Sequence, residues 1–166
     1  GRIKRVMFDK ENVKPLPQVL DAIRDADIIV LGPGSLYTSI IPNLLVDGVA
    51  NAVFESRAMK IYVCNIMTQP GETENYTVSD HIRTLHNHAK RPLTDICLVN
   101  CGEIDNNILR RYAEDGAEKV RIDASEVKKM GIRLIEEDLV KIKNGLVRHD
   151  SLKLAQTIID IYNRSK

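Results

Sequence analysis

Three short apolar runs constrain the fold of this chain more than any other feature. They lie at residues 27–31, 60–64 and 95–99, and each is followed by a polar loop and then by apolar residues at helical spacing. An apolar run without polar alternation is typical of a parallel strand that is buried on both faces. The repeated order of strand, loop and helix therefore predicts an α/β domain with a mostly parallel sheet.

The remaining elements follow from apolar spacing and from capping residues. Further strands are predicted at residues 5–8, 119–123 and 132–135. Helices are predicted at residues 17–26, 35–46 (kinked or split by Pro42), 49–57 and 106–115, from Thr77 or Ser79 to Ala89, and from Ser151 onward. The buried face of the last helix is predicted to hold Leu152, Leu154, Ala155, Ile158, Ile159 and Ile161.

Composition restricts the class of protein further. The 166 residues contain 24 Lys and Arg against 23 Asp and Glu, a net charge of +1. This near-neutral balance argues against a nucleic-acid partner or an acidic membrane surface, because both require a net basic field. No apolar run has membrane-spanning length, no signal peptide is recognisable, and the three cysteines are not paired in a disulfide pattern. We therefore expect a cytoplasmic protein with a single α/β domain over residues 1–166.

The loop after the first apolar run is the strongest candidate for ligand binding. Glycines allow a backbone to approach a ligand closely, and hydroxyls with free amides at a helix start form an anion cradle. The alternative is a tight turn whose serine caps the helix. The candidate residues are Gly32, Pro33, Gly34, Ser35, Tyr37, Thr38 and Ser39.

The loop after the second apolar run is the next candidate. Its polar residues suit recognition of amide or base edges, although an ordinary turn at Pro70 and Gly71 is the alternative. Because the carboxyl ends of parallel strands meet at one edge of a sheet, we expect both loops to line one cleft. The candidate residues here are Asn65, Met67, Thr68, Gln69, Gly71 and Glu72.

The remaining candidates are Arg148, Tyr112 and a group of three histidines. Arg148 is predicted to lie in a turn before the last helix, where its guanidinium could bind a phosphate or simply be solvated. Tyr112 is expected to lie on a helix and to pack its ring inward. The spacing of His81, His86 and His88 does not fit a helical metal site, so they are predicted to form a solvated polar face.

Together these motifs resemble the second half of the gluconeogenesis-factor family. The resemblance is carried by VLGPGSLYTSIIPNLLV (except that Asp47 follows where proline is expected), CNIMTQPGETENYTVSDHI, RRYAEDGA and GLVRHD, in that order. That family is similar to the 2-phospho-lactate transferases of deazaflavin synthesis. The resemblance implies a Rossmann-like three-layer fold, and it implies that a strand, Gly-rich loop and helix precede this stretch in a longer protein.

The resemblance also implies a function. It indicates a bacterial, cytoplasmic, regulatory protein that binds a UDP-sugar and supports gluconeogenic growth, cell shape and cell-wall precursor supply. Tyr112 and Arg148 are implied as ligand contacts, with no cofactor beyond the nucleotide. A metabolic enzyme of amino-sugar or cell-wall precursor synthesis is the expected partner, and a homo-oligomer is expected. The alternative is a magnesium-dependent phosphotransferase that uses a nucleoside-diphosphate-activated donor. A nicotinamide-dinucleotide binder is disfavoured because GxGxxG is missing from this stretch.

Overall fold

Four parallel strands form the central sheet of the computed structural model, which describes residues 3–166. The strands are β1 (Ile28–Leu31), β2 (Met59–Val63), β3 (Ile96–Asn100) and β4 (Arg133–Glu137), and they lie side by side in chain order. In the registers, Val30 pairs with Ile61, Tyr62 with Cys97 and Leu98 with Ile135. The predicted α/β class with a parallel sheet is confirmed.

Helices cover both faces of this sheet, which gives three layers. They are α1 (Pro17–Asp25), α2 (Ile41–Leu44), α3 (Val49–Glu55), α4 (Val78–Ala89), α5 (Asn106–Glu114), α6 (Ala124–Lys129) and α7 (Ser151–Asn163), and a π-helical turn at Leu36–Ile40 precedes α2. Helices α1 to α4 and α6 pack on one face, whereas α7 covers the other. The split at Pro42 agrees with the prediction, since the π-helical turn gives way to α2 there.

The side chains of β2 explain why its sequence is apolar without alternation. Tyr62 belongs to the core under α1 to α4 and α6, while Ile61 and Val63 belong to the core under α7. All three are completely buried. Successive strand residues point to opposite faces, so a sheet covered on both faces requires apolar residues at every position.

Two predicted strands are wrong. Residues 5–8 have no strand partner; instead the Val6 amide donates to Nε2 of His88 at 3.2 Å, and Ile3 and Val6 pack against the helices. Residues 119–123 form isolated bridges, from Lys119 to Met67 and from Arg121 to Thr77, and then lead into α6. In both segments an apolar residue packs against the core, but the backbone does not pair with a neighbouring strand of the sheet. The apolar pattern of the sequence cannot distinguish these two situations.

A hairpin near the C-terminal end was not predicted. Strands β5 (Val140–Lys143) and β6 (Leu146–His149) pair antiparallel through the turn Asn144-Gly145, whose φ angles are +53° and +73°. Asn-Gly is favoured at such turns because both positions require a positive φ. Arg148 therefore lies within a strand, and its predicted turn position is wrong.

The last helix begins at Ser151 as predicted, but its buried face differs from the prediction. Asp150, rather than Ser151, is the N-cap, and its carboxylate accepts from the amides of Leu152 and Lys153. The predicted face is partly wrong: Leu154 and Ile161 are buried and Ile158 is half-buried, whereas Ala155 is exposed and Leu152 and Ile159 are 80% and 47% exposed.

The predicted solvated histidine face is also wrong. His81 is completely buried, with Nδ1 2.8 Å from the Thr77 carbonyl oxygen and its ring edge-on to Tyr76 at 5.3 Å. Burial lowers the pKa of the His81 imidazole, and its contact with Thr77 acts in the opposite direction. Among residues 3–166, no helix has the length and apolar content needed to cross a membrane.

Candidate functional site

A cleft of about 860 Å³ lies at the carboxyl ends of β1 and β2. The loops that follow these two strands form one wall, and α5, the β5–β6 hairpin and α7 form the other. The structure thus brings the two predicted loops together on one cleft. Nine of the predicted site residues line it: Pro33, Gly34, Ser35, Asn65, Met67, Thr68, Gln69, Tyr112 and Arg148. Their roles as ligand contacts stay predictions.

The other predicted residues lie outside the lining of this cleft. They are Gly32, Tyr37, Thr38, Ser39, Gly71 and Glu72. Tyr37 is 2% exposed, and its hydroxyl lies 2.6 Å from that of Tyr76 in the core. Gly32 is the first residue after β1, and its backbone conformation sets the course of the Gly-Pro-Gly loop.

The Gly-Pro-Gly loop is held by backbone geometry rather than by side chains. Gly32 has φ +91°, and a Cβ there would lie 2.9 Å from the Val63 carbonyl oxygen and 3.2 Å from Ile40 Cδ1. The amides of Ser39 and Ile40 both donate to the Ser35 carbonyl oxygen, at 2.9 and 3.1 Å, which starts the π-helical turn. The loop therefore places the backbone of Gly34 and Ser35 at the cleft.

The second loop is fixed by Thr68. Its amide donates to the Glu118 carbonyl oxygen at 2.7 Å, and its hydroxyl accepts from the Glu118 amide at 2.9 Å. The neighbouring Gln69 amide donates to Thr73 Oγ1 at 2.9 Å. Thr68 is 2% exposed, so it shapes the loop more than it offers its hydroxyl to a ligand. Among the described residues, the Asn65 side-chain amide has no hydrogen-bond partner, which leaves it available at the cleft.

Tyr112 and Arg148 connect helix α5 to the hairpin wall. The Val147 amide donates to the Tyr112 hydroxyl at 2.9 Å, so α5 holds β6 beside the cleft. The Arg148 guanidinium is exposed and donates to the Val147 carbonyl oxygen at 3.0 Å. Across the hairpin Lys141 pairs with Asp150 at 3.6 Å, whereas no described carboxylate pairs with Arg148. The cleft therefore contains a guanidinium that forms no ion pair with a described carboxylate.

His149 is a cleft residue that was missing from the predicted site. It is half-buried, and its Nε2 has no hydrogen-bond partner among the described residues. Burial lowers the pKa of this imidazole, although a hydrogen bond with the Cys64 backbone acts in the opposite direction. A neutral imidazole with a free nitrogen can accept from a ligand N–H or O–H group. The sequence does contain a signal for this residue, because the turn Asn144-Gly145 predicts a hairpin. In the strand that follows the turn, Val147 and His149 are two residues apart and therefore lie on the same face.

The described lining of the cleft offers few protein ligands for magnesium. Its lining contains one carboxylate, Asp115. Across residues 3–166 there is no group of three His, Cys, Asp or Glu side chains suited to a metal ion. Magnesium in nucleotide sites is held by one or two carboxylates together with phosphate oxygens and water, so Asp115 is the described lining carboxylate that could ligate it.

The chain belongs to the CofD family, since the family model described as 2-phospho-L-lactate transferase CofD matches residues 1–140. Within that family its curated relatives carry another description. It is 46% identical to the gluconeogenesis factor of Bacillus subtilis over 96% of this chain and 50% of that protein. It is 42% identical to the gluconeogenesis factor of Halalkalibacterium halodurans over 96% of this chain and 49% of that protein. These matches confirm the family resemblance.

A solved structure agrees with the fold. The crystal structure of a protein member of the upf0052 family from Bacillus halodurans superposes with a TM-score of 0.92 at 42% identity. The match covers 95% of this chain and 51% of that chain. The chain thus spans about half the length of the curated relatives and of the solved structure that it matches.

Proposed function

We propose that the two walls of the 860 Å³ cleft form a sugar-nucleotide site, and that its ligand is a UDP-sugar. On this proposal the protein is a cytoplasmic regulator of gluconeogenic growth, cell shape and cell-wall precursor supply. It acts by binding a metabolic enzyme when the cleft is filled, and it works as a homo-oligomer.

One observation carries the proposal: the loops after β1 and β2 converge with Arg148 on one cleft at the ligand-binding edge of the sheet. A diphosphate requires cationic compensation, and Arg148 is the one Lys or Arg among the described lining residues. A guanidinium binds planar phosphate oxygens with two parallel hydrogen bonds. Asn65 and Gln69, on the opposite wall, have amide groups suited to a pyrimidine base or a sugar hydroxyl.

The description of the family model, 2-phospho-L-lactate transferase, favours a second candidate, a transferase. On this alternative the donor would be activated by a nucleoside diphosphate, and magnesium would assist the transfer. Such chemistry needs carboxylates that converge on the metal ion. Asp115 is the one carboxylate among the described lining residues, so these residues support ligand binding better than metal-assisted transfer.

The test is a calorimetric titration of the protein with UDP-sugars, UDP, GDP and NAD. We expect the UDP-sugars to bind more tightly than GDP or NAD, with no requirement for magnesium. Arg148→Ala is expected to weaken UDP-sugar binding by roughly ten- to a hundredfold, because a charge-assisted pair contributes about 1.5–3 kcal/mol. Its melting temperature is expected to stay unchanged, because the side chain is exposed.

Lys143→Ala is the matched control. Lys143 is an exposed cation on the same hairpin, and it lies outside the lining of the cleft. Loss of binding in both variants would indicate a general charge effect rather than a contact. Equal affinity of wild type and Arg148→Ala would remove Arg148 from the site, and binding that depends on magnesium and favours GDP would support the transferase.

A further inference from the structure

A second cleft, of about 810 Å³, lies away from the first and shares none of its lining residues. It is formed by the N-terminal segment, by the turn between α2 and α3, and by the C-terminal end of α4. Helix α4 returns from the carboxyl ends of the strands, so its C-terminal end lies toward their amino ends. The second cleft is therefore separate from the proposed sugar-nucleotide site.

This second cleft is strongly basic although the chain is nearly neutral. Its lining contains four cations, Lys4, Arg5, Lys90 and Arg91, and one carboxylate, Asp47, which gives a local charge of +3. The net charge of the whole chain is +1. No carboxylate among residues 3–166 forms an ion pair with any of the four cations.

Helix stability explains part of this arrangement. Lys90 and Arg91 follow the last turn of α4, where positive charge is favourable next to free carbonyl groups. Lys4 and Arg5 come from a different segment, and the hydrogen bond from the Val6 amide to His88 holds that segment beside α4. The carbonyl groups at the end of α4 therefore do not explain why Lys4 and Arg5 lie here, and these two cations add charge repulsion.

The side chains around the cations are arranged as in a binding site. Arg91 lies over the Phe54 ring at 5.5 Å from its centroid, and its Nε donates to Asn51 Oδ1 at 3.2 Å. These contacts fix the guanidinium and leave its terminal nitrogens without a described partner. Asn51 and Asn87 add amide groups to the lining. A volume of about 810 Å³ is within the range of small-molecule sites.

We propose that this second cleft binds a small, multiply charged anion that carries phosphate groups. A multivalent anion brings the two pairs of cations together and relieves their repulsion, and Arg91 provides the planar fork that phosphate oxygens prefer. Asp47 opposes this binding. The proposal is independent of the ligand in the first cleft.

The test is a calorimetric titration with inorganic pyrophosphate at low ionic strength, with citrate as the carboxylate arm. Saturable one-to-one binding of pyrophosphate is expected, and it should weaken steeply as salt is raised because exposed charges are screened. If citrate also binds, the site recognises multivalent negative charge. If pyrophosphate binds and citrate does not, the site recognises phosphate groups. Both outcomes support an anion site. The absence of saturable pyrophosphate binding overturns the proposal, whether or not citrate binds.

Three variants separate an anion site from a general charge effect. Arg5→Gln and Lys90→Asn should each weaken pyrophosphate binding by about tenfold, the loss expected for one charge-assisted hydrogen bond. Asparagine is chosen at Lys90 because its φ is +54°. Asp47→Asn should instead tighten binding, because it removes the one carboxylate of the lining.

Two matched controls complete the experiment. Lys128→Ala, an exposed cation at the end of α6, should leave pyrophosphate binding unchanged. Lys143→Ala, an exposed cation outside the described lining of both clefts, should also leave it unchanged. Changes of the same sign in Asp47→Asn and Lys90→Asn, or equal losses in Lys128→Ala, would overturn the proposal.

Discussion

Replacing Gly32 by alanine tests how the loop between β1 and the π-helical turn is held. The residue has φ +91°, a backbone conformation that L side chains rarely adopt. Its missing Cβ would lie 2.9 Å from the Val63 carbonyl oxygen, which belongs to β2 and cannot move without the sheet. It would also lie 3.2 Å from Ile40 Cδ1, in a side chain that is 6% exposed.

The two effects add to a large loss of stability. A non-glycine residue held in a sparsely populated backbone region costs about 1–3 kcal/mol. Forcing a methyl group into a packed site costs about 1–3 kcal/mol more. We therefore expect Gly32→Ala to lower the free energy of unfolding by about 2–6 kcal/mol. For a domain of this size, that corresponds to a melting temperature lower by at least about 4 °C.

Gly34→Ala is the matched control within the same loop. Gly34 does not have a positive φ, and its added Cβ would lie 3.2 Å from Ser39 Cβ, a contact that a shift of a few tenths of an ångström relieves. We expect a change of less than about 1 kcal/mol, because the smaller entropy of the unfolded chain offsets this contact. Urea unfolding followed by circular dichroism measures both variants. Equal midpoints for Gly32→Ala and Gly34→Ala would refute the argument from backbone geometry.

Two further predictions concern a helix cap and a carboxylate. Asp150→Ala should destabilise the protein by about 0.5–2 kcal/mol, because it removes an N-cap, while Ser151→Ala should have little effect; urea midpoints compare the two. Burial raises the pKa of Asp123, but hydrogen bonds from the Ser79 hydroxyl and amide lower it more, so the pKa is lower than usual in the folded state. The ionised Asp123 carboxylate therefore stabilises the fold above the pKa that it has in the unfolded chain, and this stabilisation is lost as pH falls through the lower pKa of the folded state. The urea midpoint of Asp123→Asn should be lower than that of wild type at about pH 7, and this difference should shrink toward about pH 3.

The sheet was predictable because its sequence signal is local. Each of the strands β1, β2 and β3 is apolar at almost every position and ends at a loop, and both features are visible without knowledge of the partners. The N-terminal segment shows the limit of such a signal. Val6 is apolar and extended, yet its amide donates to His88, and whether a segment joins a ladder depends on a neighbour that is distant in the chain.

The candidate site was predictable in its loops and less so in its hairpin wall. The two loops follow buried strands, so the topology of a parallel sheet brings them together. Tyr37 was included because it follows the glycines, but a π-helical turn directs it into the core against Tyr76. Arg148 and His149 lie on β6, and their placement requires the register that Asn144-Gly145 imposes.

The β5–β6 hairpin and α7 lie almost entirely beyond the match to the family model. The match to the model named for the transferase ends at residue 140, whereas the relatives named gluconeogenesis factor match 95% or more of the chain. Residues 147–158, which carry Arg148 and His149, lie beyond the first match and within the others. On the proposed function, the charge that a diphosphate needs would come from this wall, because Arg148 is the one Lys or Arg among the described lining residues. We therefore expect substitutions on the hairpin and α7 to change ligand choice in the first cleft more than substitutions in the glycine loop.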